Sequence, residues 1–311
     1  MNSARPLDAL VVGDLFYDLV MSGFESWPSP GEEFFAKKFH KEIGGGAAIT
    51  ACGLAKLGVQ ASVIGVVGKE DGQWMLDQLQ ARGVDASGIR VTLAQPTAFT
   101  VSVSTALDRA FLTYSGANRE LPALMDDLIG IAAGYKPRHI HLAHNMNPAN
   151  LQSTFTAIKD NGWSLSLDVG WHPEWFADAR AVAALKMVDI FFPNEREAEA
   201  ITRQTEPHRI LNAFEQMGVH RVALKLGRDG AVLLWDGHIS IQKPGSTVSV
   251  DTTGAGDCFD AGFLYAWLAG MSPALCLKSG TACGELSTRE LGGIAGFPSK
   301  EELETILCTA K

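Results

Sequence analysis

The sequence predicts an α/β protein, a three-layer α/β/α sandwich with a mainly parallel central sheet and a small β-sheet lid. Two observations support this fold class. Short apolar runs rich in β-branched residues alternate along the chain with segments of helical periodicity. Two other stretches show strand-like alternation without helices between them. Strands and helices in alternation form a sheet that helices cover on both faces.

The central sheet is predicted from apolar runs that are each long enough for one strand. These runs are Ala9–Val12, Ser62–Val67, His139–Leu142, Ser164–Leu167, Val188–Phe192, Arg221–Leu226 and Ala231–Trp235. Apolar residues at helical spacing predict the helices Ala47–Leu57, Gln73–Arg82, Glu195–Thr202 and Ile210–Met217. This order implies parallel strands that are joined by helical crossovers.

The lid is predicted from the two stretches Leu15–His40 and Thr97–Ser115. In the second, Phe99, Val101 and Val103 alternate with hydroxyl side chains, which gives one apolar and one polar face. We expect this small sheet to close over a cleft, because such lids exclude water when substrate binds. The exposed apolar face also predicts a homodimer that forms through the lid. An ordinary edge hairpin is the alternative.

Two local features are predicted within the lid stretches. Asp108–Arg109 marks the turn of the second stretch. In the first, Glu32–Phe39 forms a strand after the Pro/Gly-rich loop Trp27–Gly31. No repeat, low-complexity segment or long linker divides the chain, so residues 1–311 are expected to form one domain with the lid as an appendage.

Composition excludes several classes of protein. A chain of 311 residues that is 46% hydrophobic has enough apolar material for a large core. A formal net charge of −9 argues against a nucleic-acid partner, since such proteins carry a basic face. The five cysteines are widely spaced and form no CxxC pair, which favours a reducing cytoplasm. The N-terminal apolar run is too short for a signal sequence or a membrane span.

The most informative stretch is DTTGAGD, residues Asp251–Asp257. A strand at Val248–Val250 is predicted before it, and apolar residues at helical spacing follow it. A glycine-rich turn therefore opens a helix. The backbone N–H groups of Gly254, Ala255 and Gly256 then point outward and form a site for an anion.

Asp257 places an acid in this anion site, where a carboxylate would repel phosphate. Catalysis explains the combination if Asp257 accepts the proton of an attacking hydroxyl while the N–H groups steady a transferred phosphoryl group. A helix N-cap beside glycines that only form the turn is the structural alternative. The chain lacks the third glycine of a dinucleotide fingerprint and any GxxxxGK[ST] motif. Neither a Rossmann oxidoreductase nor a Walker-type NTPase is therefore supported.

Two further groups of residues could contribute to a site. Gly44–Ala48 opens a helix with small side chains that let a ligand approach the backbone, although tight packing explains them equally. Asp14 follows the first strand, where open α/β sheets place ligand contacts, but it could equally cap a turn.

The run His139–His144 contains three histidines and raises the alternative of a metal-dependent hydrolase. His139 and His141 share a strand face and could chelate a metal ion. The remaining ligands of such a site are not evident, so strand-end histidines that line a cleft are the preferred interpretation.

Five segments together resemble the ribokinase-like (PfkB) carbohydrate kinase family in residues and in order. They are Gly13–Asp14, Gly44–Gly58, Asn194–Glu197, Lys225–Gly230 and Asp251–Asp257. The resemblance covers nearly the whole chain, and DTTGAGD is its most specific segment. It implies an ATP-dependent kinase that transfers the γ-phosphoryl group to a primary hydroxyl of a small sugar, with Mg²⁺ and, in some members, a monovalent cation such as K⁺.

The resemblance also implies roles for single residues on the acceptor side. Asp257 would deprotonate the acceptor hydroxyl beside the anion hole of Gly254, Ala255 and Gly256. The acceptor itself would contact Asp14, Gly44, Gly45 and, from the lid, Arg109. A solvated turn arginine is the alternative for Arg109.

On the nucleotide side, the resemblance implies that Asn194 and Glu197 place Mg²⁺ and the phosphates through water, as suits a hard ion that keeps its waters. Asp251 would help to hold the monovalent cation. The expected nucleotide contacts are Lys225, Gly227, Gly230, Cys283 and Gly284.

The chain departs from the family at Ile49, where members commonly have asparagine. An apolar side chain supplies neither the donor nor the acceptor of that amide. The acceptor is therefore left open among sugars, a keto-deoxy sugar acid and a nucleoside, and a nucleoside kinase of the same fold is the alternative. A sugar- or nucleotide-binding protein without catalysis is the alternative from another class, and the intact DTTGAGD segment speaks against it.

Overall fold

The computed structural model describes residues 7–24, 26–27, 31–105 and 109–309, with the backbone alone at residues 104–105 and 109. Its thirteen strands, β1 to β13, are Ala9–Gly13, Phe16–Phe24, Lys38–Gly44, Ala61–Gly68, Ile89–Thr92, Ala98–Thr105, Arg109–Tyr114, His139–Ala143, Ser164–Leu167, Ile190–Phe191, Arg221–Lys225, Ala231–Trp235 and His238–Gln242. Nine of them form a large sheet, and four form a separate small sheet.

The large sheet has the order β13-β12-β11-β10-β9-β8-β1-β4-β5. Every pair from β11 to β5 is parallel, and β12 and β13 add an antiparallel edge. The carboxyl ends of β1, β8, β9, β10 and β11 therefore lie at one edge of the sheet, which is where open α/β sheets bind ligands. The predicted mainly parallel sheet is confirmed.

Helices cover both faces of this sheet. Their bounds, α1 to α12, are Gly46–Lys56, Gly72–Ala81, Leu121–Met125, Leu128–Tyr135, Leu151–Asp160, Pro173–Ala177, Ala179–Ala184, Glu195–Thr202, Pro207–Gln216, Ala255–Leu268, Pro273–Ser287 and Lys300–Cys308. Successive residues of β1 enter different cores: Ala9 and Val11 pack with α1, α10 and α11, whereas Leu10 and Val12 pack with α4 and α5. Alternation along a strand thus produces the three layers.

The small sheet has the order β3-β2-β6-β7 and contains both predicted lid stretches. Its strands β2 and β6 are parallel, and β3 and β7 pair antiparallel at the two edges. Phe99, Val101 and Val103 lie on one face, in register with Tyr17, Leu19 and Met21. The predicted turn residue Asp108 lies outside the described residues.

Three strand predictions differ from the structure. The run Val188–Phe192 supplies only the two-residue strand β10. Strand β3 begins at Lys38, which is in register with Ser22 near the end of β2, rather than at Glu32. Val248–Val250 is not a strand: both valines are exposed, and the N–H groups of Val250 and Asp251 donate to the carbonyl of Thr288 at the end of α11.

The edge strands β5 and β13 were not among the predicted strands. Both are short and partly exposed, so their sequences carry weak apolar periodicity. Among the helices that the structure describes, none is long and apolar enough to span a bilayer.

Candidate active site

Polar side chains follow five neighbouring strands at the carboxyl edge of the large sheet. Asp14 follows β1, His144 follows β8 and Asp168 follows β9. Asn194 lies beyond β10, and Lys225 is the last residue of β11. The parallel topology alone brings these residues to one edge, although Asp14 and Lys225 are more than two hundred positions apart in the sequence.

The glycine turn opens helix α10 at this edge. Gly254 adopts the left-handed conformation, with φ of 69°, which strongly favours glycine. The first intrahelical hydrogen bond runs from the N–H of Cys258 to the carbonyl of Gly254. Because no side chain caps this described helix start, the N–H groups of Gly256 and Asp257 face outward at the positive end of the helix dipole. This arrangement suits an anion such as a phosphoryl group.

Asp257 lies where two helices begin. A Cβ atom on Gly46, the first residue of α1, would stand 3.0 Å from Oδ1 of Asp257, so only glycine lets the carboxylate approach so closely. Thr50 of α1 donates a hydrogen bond to the backbone carbonyl of Asp257 at 3.3 Å. Burial raises the pKa of Asp257 to about 7, and neighbouring carboxylates, chiefly Asp168, add to this effect. Such a carboxyl is poised to exchange a proton near neutral pH.

A cluster of charged side chains, Asp168, Asp260 and Lys225, lies below Asp257, on the side of the large sheet. Carboxylate oxygens of Asp257, Asp168 and Asp260 lie within 4.8 Å of one another. Nζ of Lys225 donates to Oδ2 of Asp168 at 2.5 Å and to Oδ1 of Asp260 at 3.2 Å. Although burial disfavours the ammonium ion, Asp168, Asp260 and Glu197 raise the pKa of Lys225 above its ordinary value. Lys225 is therefore charged and held inside the cluster.

Asn194 and Glu197 form a reciprocal capping box at the start of α8. Oδ1 of Asn194 accepts from the N–H of Glu197 at 3.0 Å, and the Glu197 carboxylate accepts from the N–H of Asn194 at 2.9 Å. Glu197 is buried, and burial raises its pKa to about 7. The geometry of the helix start thus accounts for the positions of both side chains.

Asp14, beyond the end of β1, is paired with a histidine. Oδ2 of Asp14 lies 2.9 Å from Nδ1 of His144, whose ring makes an edge contact with the ring of His172. From the small sheet, the carboxylate of Asp18 packs against Gly44, where a Cβ atom would stand 2.5 Å from Oδ2. Burial, followed by Asp251 and Glu42, raises the pKa of Asp18 to about 6.

Comparison with known proteins identifies the family. The model of the pfkB family carbohydrate kinases matches residues 7–300. This chain belongs to that family. It is accordingly a kinase of sugars or nucleosides, an ATP-using phosphotransferase with an alcohol group as acceptor.

Three relatives illustrate what the family resemblance covers. The chain is 28% identical over 290 residues to a 2-dehydro-3-deoxygluconokinase of Bacillus subtilis, covering 86% of this chain and 87% of that one. It is 26% identical over 303 residues to a nucleoside kinase of Methanothermobacter thermautotrophicus, covering 95% and 94%. The structure of Arabidopsis thaliana ribokinase complexed with ribose and ATP superposes with a TM-score of 0.85 at 28% identity, covering 97% and 99%.

In this pfkB-family kinase, most of the predicted site residues converge on the carboxyl edge of the sheet. Gly46, which follows the Gly44–Gly45 turn, lies against Asp257 at the end of the Gly254–Gly256 turn, and Asp14 packs its carbonyl against Gly45. Gly227 has a positive φ and open space where its side chain would be, whereas a Cβ atom on Gly230 would meet the carbonyl of Gln242 at 2.1 Å. Gly230 is thus required by the β11–β12 connection.

Other predicted site residues have positions that packing explains. Cys283 is fully buried between α11 and α10, where its Sγ would lie 2.6 Å from a Cβ atom on Gly262. A Cβ atom on Gly284 would stand 3.0 Å from the carbonyl of Ala255, so Gly284 keeps α11 close to the anion turn. Asp251 is buried and accepts hydrogen bonds from Thr253 and from the N–H of Gly292. The side chain of Arg109 lies outside the described residues.

The departure at Ile49 also has a structural account. Ile49 is buried, and its Cδ1 would lie 2.7 Å from a Cβ atom on Gly254 and 2.6 Å from one on Gly293. The isoleucine therefore forms an apolar support beneath the anion turn.

The alternative of a histidine metal site is not supported. Both ring nitrogens of His139 lie within hydrogen-bonding distance of serine hydroxyls, those of Ser164 and Ser166, and Nδ1 of His141 contacts Ser166 at 2.7 Å. Both histidines are buried in the interior of the sheet, and burial lowers their pKa values. The prediction that they line a cleft is wrong for His139 and His141, whereas His144 lies beside Asp14.

Sequence reasoning missed three acids and one histidine of the site. Asp168 follows a predicted strand just as Asp14 does, so the same rule could have identified it. Asp260 lies one helical turn after Asp257, and this spacing places both on one face of α10. For Asp18 and His172 the sequence alone offers only proximity to strand ends.

Proposed function

We propose that this kinase transfers the γ-phosphoryl group of ATP to a primary hydroxyl of a small sugar, with Asp257 as the general base. One observation carries the proposal: a partly buried carboxyl group, with its pKa raised to about 7, lies at the open N-terminus of α10. A proton acceptor and an anion hole thus occupy one place, as phosphoryl transfer to a hydroxyl requires.

In the proposed reaction, the proton of the acceptor O–H passes to the Asp257 carboxylate as the acceptor oxygen bonds to the γ-phosphorus. The bond between that phosphorus and the bridging oxygen of ADP breaks, and ADP leaves with the electron pair. The proposed anion hole at Gly254, Ala255 and Gly256 would stabilise the negative charge on the transferred group. In the structure the N–H of Ala255 donates to the carbonyl of Thr252 at 3.3 Å, so Gly256 and Asp257 offer the outward-facing N–H groups.

On the acceptor side, we propose that Asp14, Gly44 and Gly45 contact substrate hydroxyls, with Arg109 reaching in from the small sheet. The contact between Asp14 and His144 holds one carboxylate oxygen of Asp14 and leaves the other for a hydroxyl. Asp18 faces the same cleft from β2 and is a further acceptor contact in this proposal.

On the nucleotide side, we propose that Lys225, Gly227, Gly230, Cys283 and Gly284 belong to segments that border the nucleotide. The open space at Gly227 fits a phosphate chain that passes close to the backbone.

Asn194 and Glu197 would hold the Mg²⁺ that accompanies ATP, which when bound neutralises phosphate charge. Their carboxylate and amide oxygens are of the type that this ion binds. Because Glu197 is engaged in the capping box, contact through water fits better than direct coordination. We propose that Asp251 helps to hold a monovalent cation such as K⁺. Activity measured with and without K⁺ would test this role.

We also propose that the small sheet is the lid and that two copies of the chain pair through it. Leu112 is in register with Val101 and is 65% exposed, and Phe39 is in register with Met21 and is 56% exposed. These side chains extend the apolar face that begins at Phe99. Light scattering tests the pairing, because a monomeric mass at micromolar concentration would exclude it.

A nucleoside is the alternative acceptor, because the nucleoside kinase relative aligns with 95% of this chain. An ADP-release screen over sugars, sugar acids and nucleosides, followed by NMR of the product, distinguishes the two. We expect phosphorylation of a primary hydroxyl of a sugar. A product phosphorylated on a nucleoside, with no turnover of any sugar, would overturn the choice of acceptor.

A further inference from the structure

The cluster below Asp257 contains one cation among several carboxylates. Lys225 lies at the end of β11, Asp168 follows β9, and Asp260 belongs to α10. The side chain of Lys225 is 12% exposed, and that of Asp260 is fully buried. A partner on each of two different elements therefore fixes the ammonium group, which cannot turn to solvent without leaving two carboxylates unpaired in the interior.

The ammonium group lies close to the catalytic turn. A Cβ atom on Gly256 would stand 3.5 Å from Nζ of Lys225, so the ammonium group lies directly beneath the first turn of α10. The oxygens of Asp168 and Asp260 that form the cluster also lie within 4.8 Å of an oxygen of Asp257. The two carboxyl groups that pair with Lys225 are thus direct neighbours of the proposed base, Asp257.

The titratable groups around Asp257 lie on several elements of the fold. Asp168 follows β9, Glu197 is on α8, Asp18 is on β2 and Asp260 is on α10, and all four are acids. Lys225 is the cation among the described groups that act on Asp257. Asp168, Glu197 and Asp18 each oppose a negative charge on Asp257, so without Lys225 the protonated and catalytically inactive form of the base would be favoured.

No second cation replaces Lys225 within the described part of this cluster. Nε2 of His141 lies 4.0 Å from Oδ2 of Asp260, and neither atom has a hydrogen-bond partner. Burial lowers the pKa of His141 to about 4, which keeps this ring neutral. Asp260 therefore depends on Lys225 alone for a positive partner, and in turn helps to hold it.

We propose that Lys225 is a positioning residue for phosphoryl transfer: its buried ammonium group, fixed between Asp168 and Asp260, is the cation that keeps the Asp257 carboxylate ionised for proton transfer. This inference rests on the proposed role of Asp257 as the base. Lys225 acts through Asp257 and does not itself contact the reacting hydroxyl.

The experiment is a titration of Asp257 in the ligand-free protein, followed by the carboxyl-carbon NMR signal, in wild type and in Lys225→Met. An opposite charge at close range lowers a carboxyl pKa by about 1–3 units, so we expect the midpoint to rise by about one pH unit or more. The acid limb of kcat/KM should rise by the same amount. Activity lost at pH 7 should then be largely regained at high pH, whereas a merely structural defect would lower activity equally at every pH.

Two other variants complete the test. Lys159→Met removes a lysine that pairs with Asp189 away from the site and should leave the Asp257 midpoint unchanged. If Lys225→Met does not fold, Lys225→Gln keeps a polar group between Asp168 and Asp260 but removes the charge, so it should raise the midpoint in the same way.

The outcomes separate this inference from the proposed function. An unmoved Asp257 midpoint in folded Lys225→Met or Lys225→Gln would overturn the role of Lys225. If the midpoints move as expected but Asp257→Asn keeps wild-type turnover, then Asp257 is not the base, and Lys225 does not serve catalysis through it.

Discussion

The clearest consequence of the site is a loss of activity on mild acidification. Burial raises the pKa of Asp257 to about 7, and Asp168 adds to the effect. A base with that pKa is about 90% ionised at pH 8 and about 10% ionised at pH 6. Because only the ionised form accepts a proton, kcat/KM should fall about tenfold between pH 8 and pH 6, and about tenfold again by pH 5.

Acid unfolding does not explain this loss of activity, because protonation of Asp257 is linked to folding in the opposite direction. A carboxyl whose pKa is raised in the folded state stabilises the fold fully below its unfolded value of about 4. That contribution is lost as the pH rises through about 7. Protonation of Asp257 in mild acid therefore favours the folded protein while it removes the base.

The assay should quantify ADP and phosphorylated product directly after quenching, because coupling enzymes have pH profiles of their own. Circular dichroism at each pH confirms that the protein stays folded. Glu197 also has a pKa raised to about 7, so the profile of Glu197→Gln is the necessary control and should keep its acid limb. A kcat/KM that is constant from pH 8 to pH 6 in wild type would refute the reasoning.

Three further predictions concern Mg²⁺, the anion turn and the lid. Glu197→Gln should raise the Mg²⁺ concentration needed for half-maximal activity by about tenfold or more, and a wild-type Mg²⁺ titration would contradict its role. Gly254→Ala should lower the free energy of unfolding in urea by about 1–2 kcal/mol, because φ is positive and the new Cβ would stand 2.7 Å from Ile49; unchanged stability would contradict this. Hydrogen exchange in residues 15–40 and 97–115 should slow with sugar plus a nonhydrolysable ATP analogue more than with the nucleotide alone, and unchanged exchange would exclude a lid.

The sequence predicts the layers of this fold well, because each βα unit carries its own apolar periodicity. It fails where pairing depends on a partner that is distant in sequence. Glu32–Phe39 has the composition of a strand, but its ladder with β2 begins only at Lys38, opposite Ser22. Val248–Val250 has strand-like residues, yet it is held by a carbonyl at the end of α11 rather than by a sheet.

In the candidate site, too, local features can be predicted from the sequence, whereas contacts between distant segments cannot. Asp257 and the glycine turn are contiguous in sequence, so their chemistry can be inferred without a structure. The Lys225 cluster is assembled from β9, β11 and α10, and nothing local to Lys225 indicates that its ammonium group turns inward to Asp168 and Asp260. Only the order of the strands in the sheet brings these charges together.

The most direct test of the central claim is the turnover of Asp257→Asn on a verified acceptor. The amide keeps the shape of the side chain but cannot accept the hydroxyl proton as a carboxylate does, so kcat should fall by about 10²- to 10⁴-fold. Asp236→Asn, which alters a surface aspartate paired with Arg221, is the matched control and should keep wild-type turnover. A folded Asp257→Asn enzyme with kcat near that of wild type would contradict the assignment of the base.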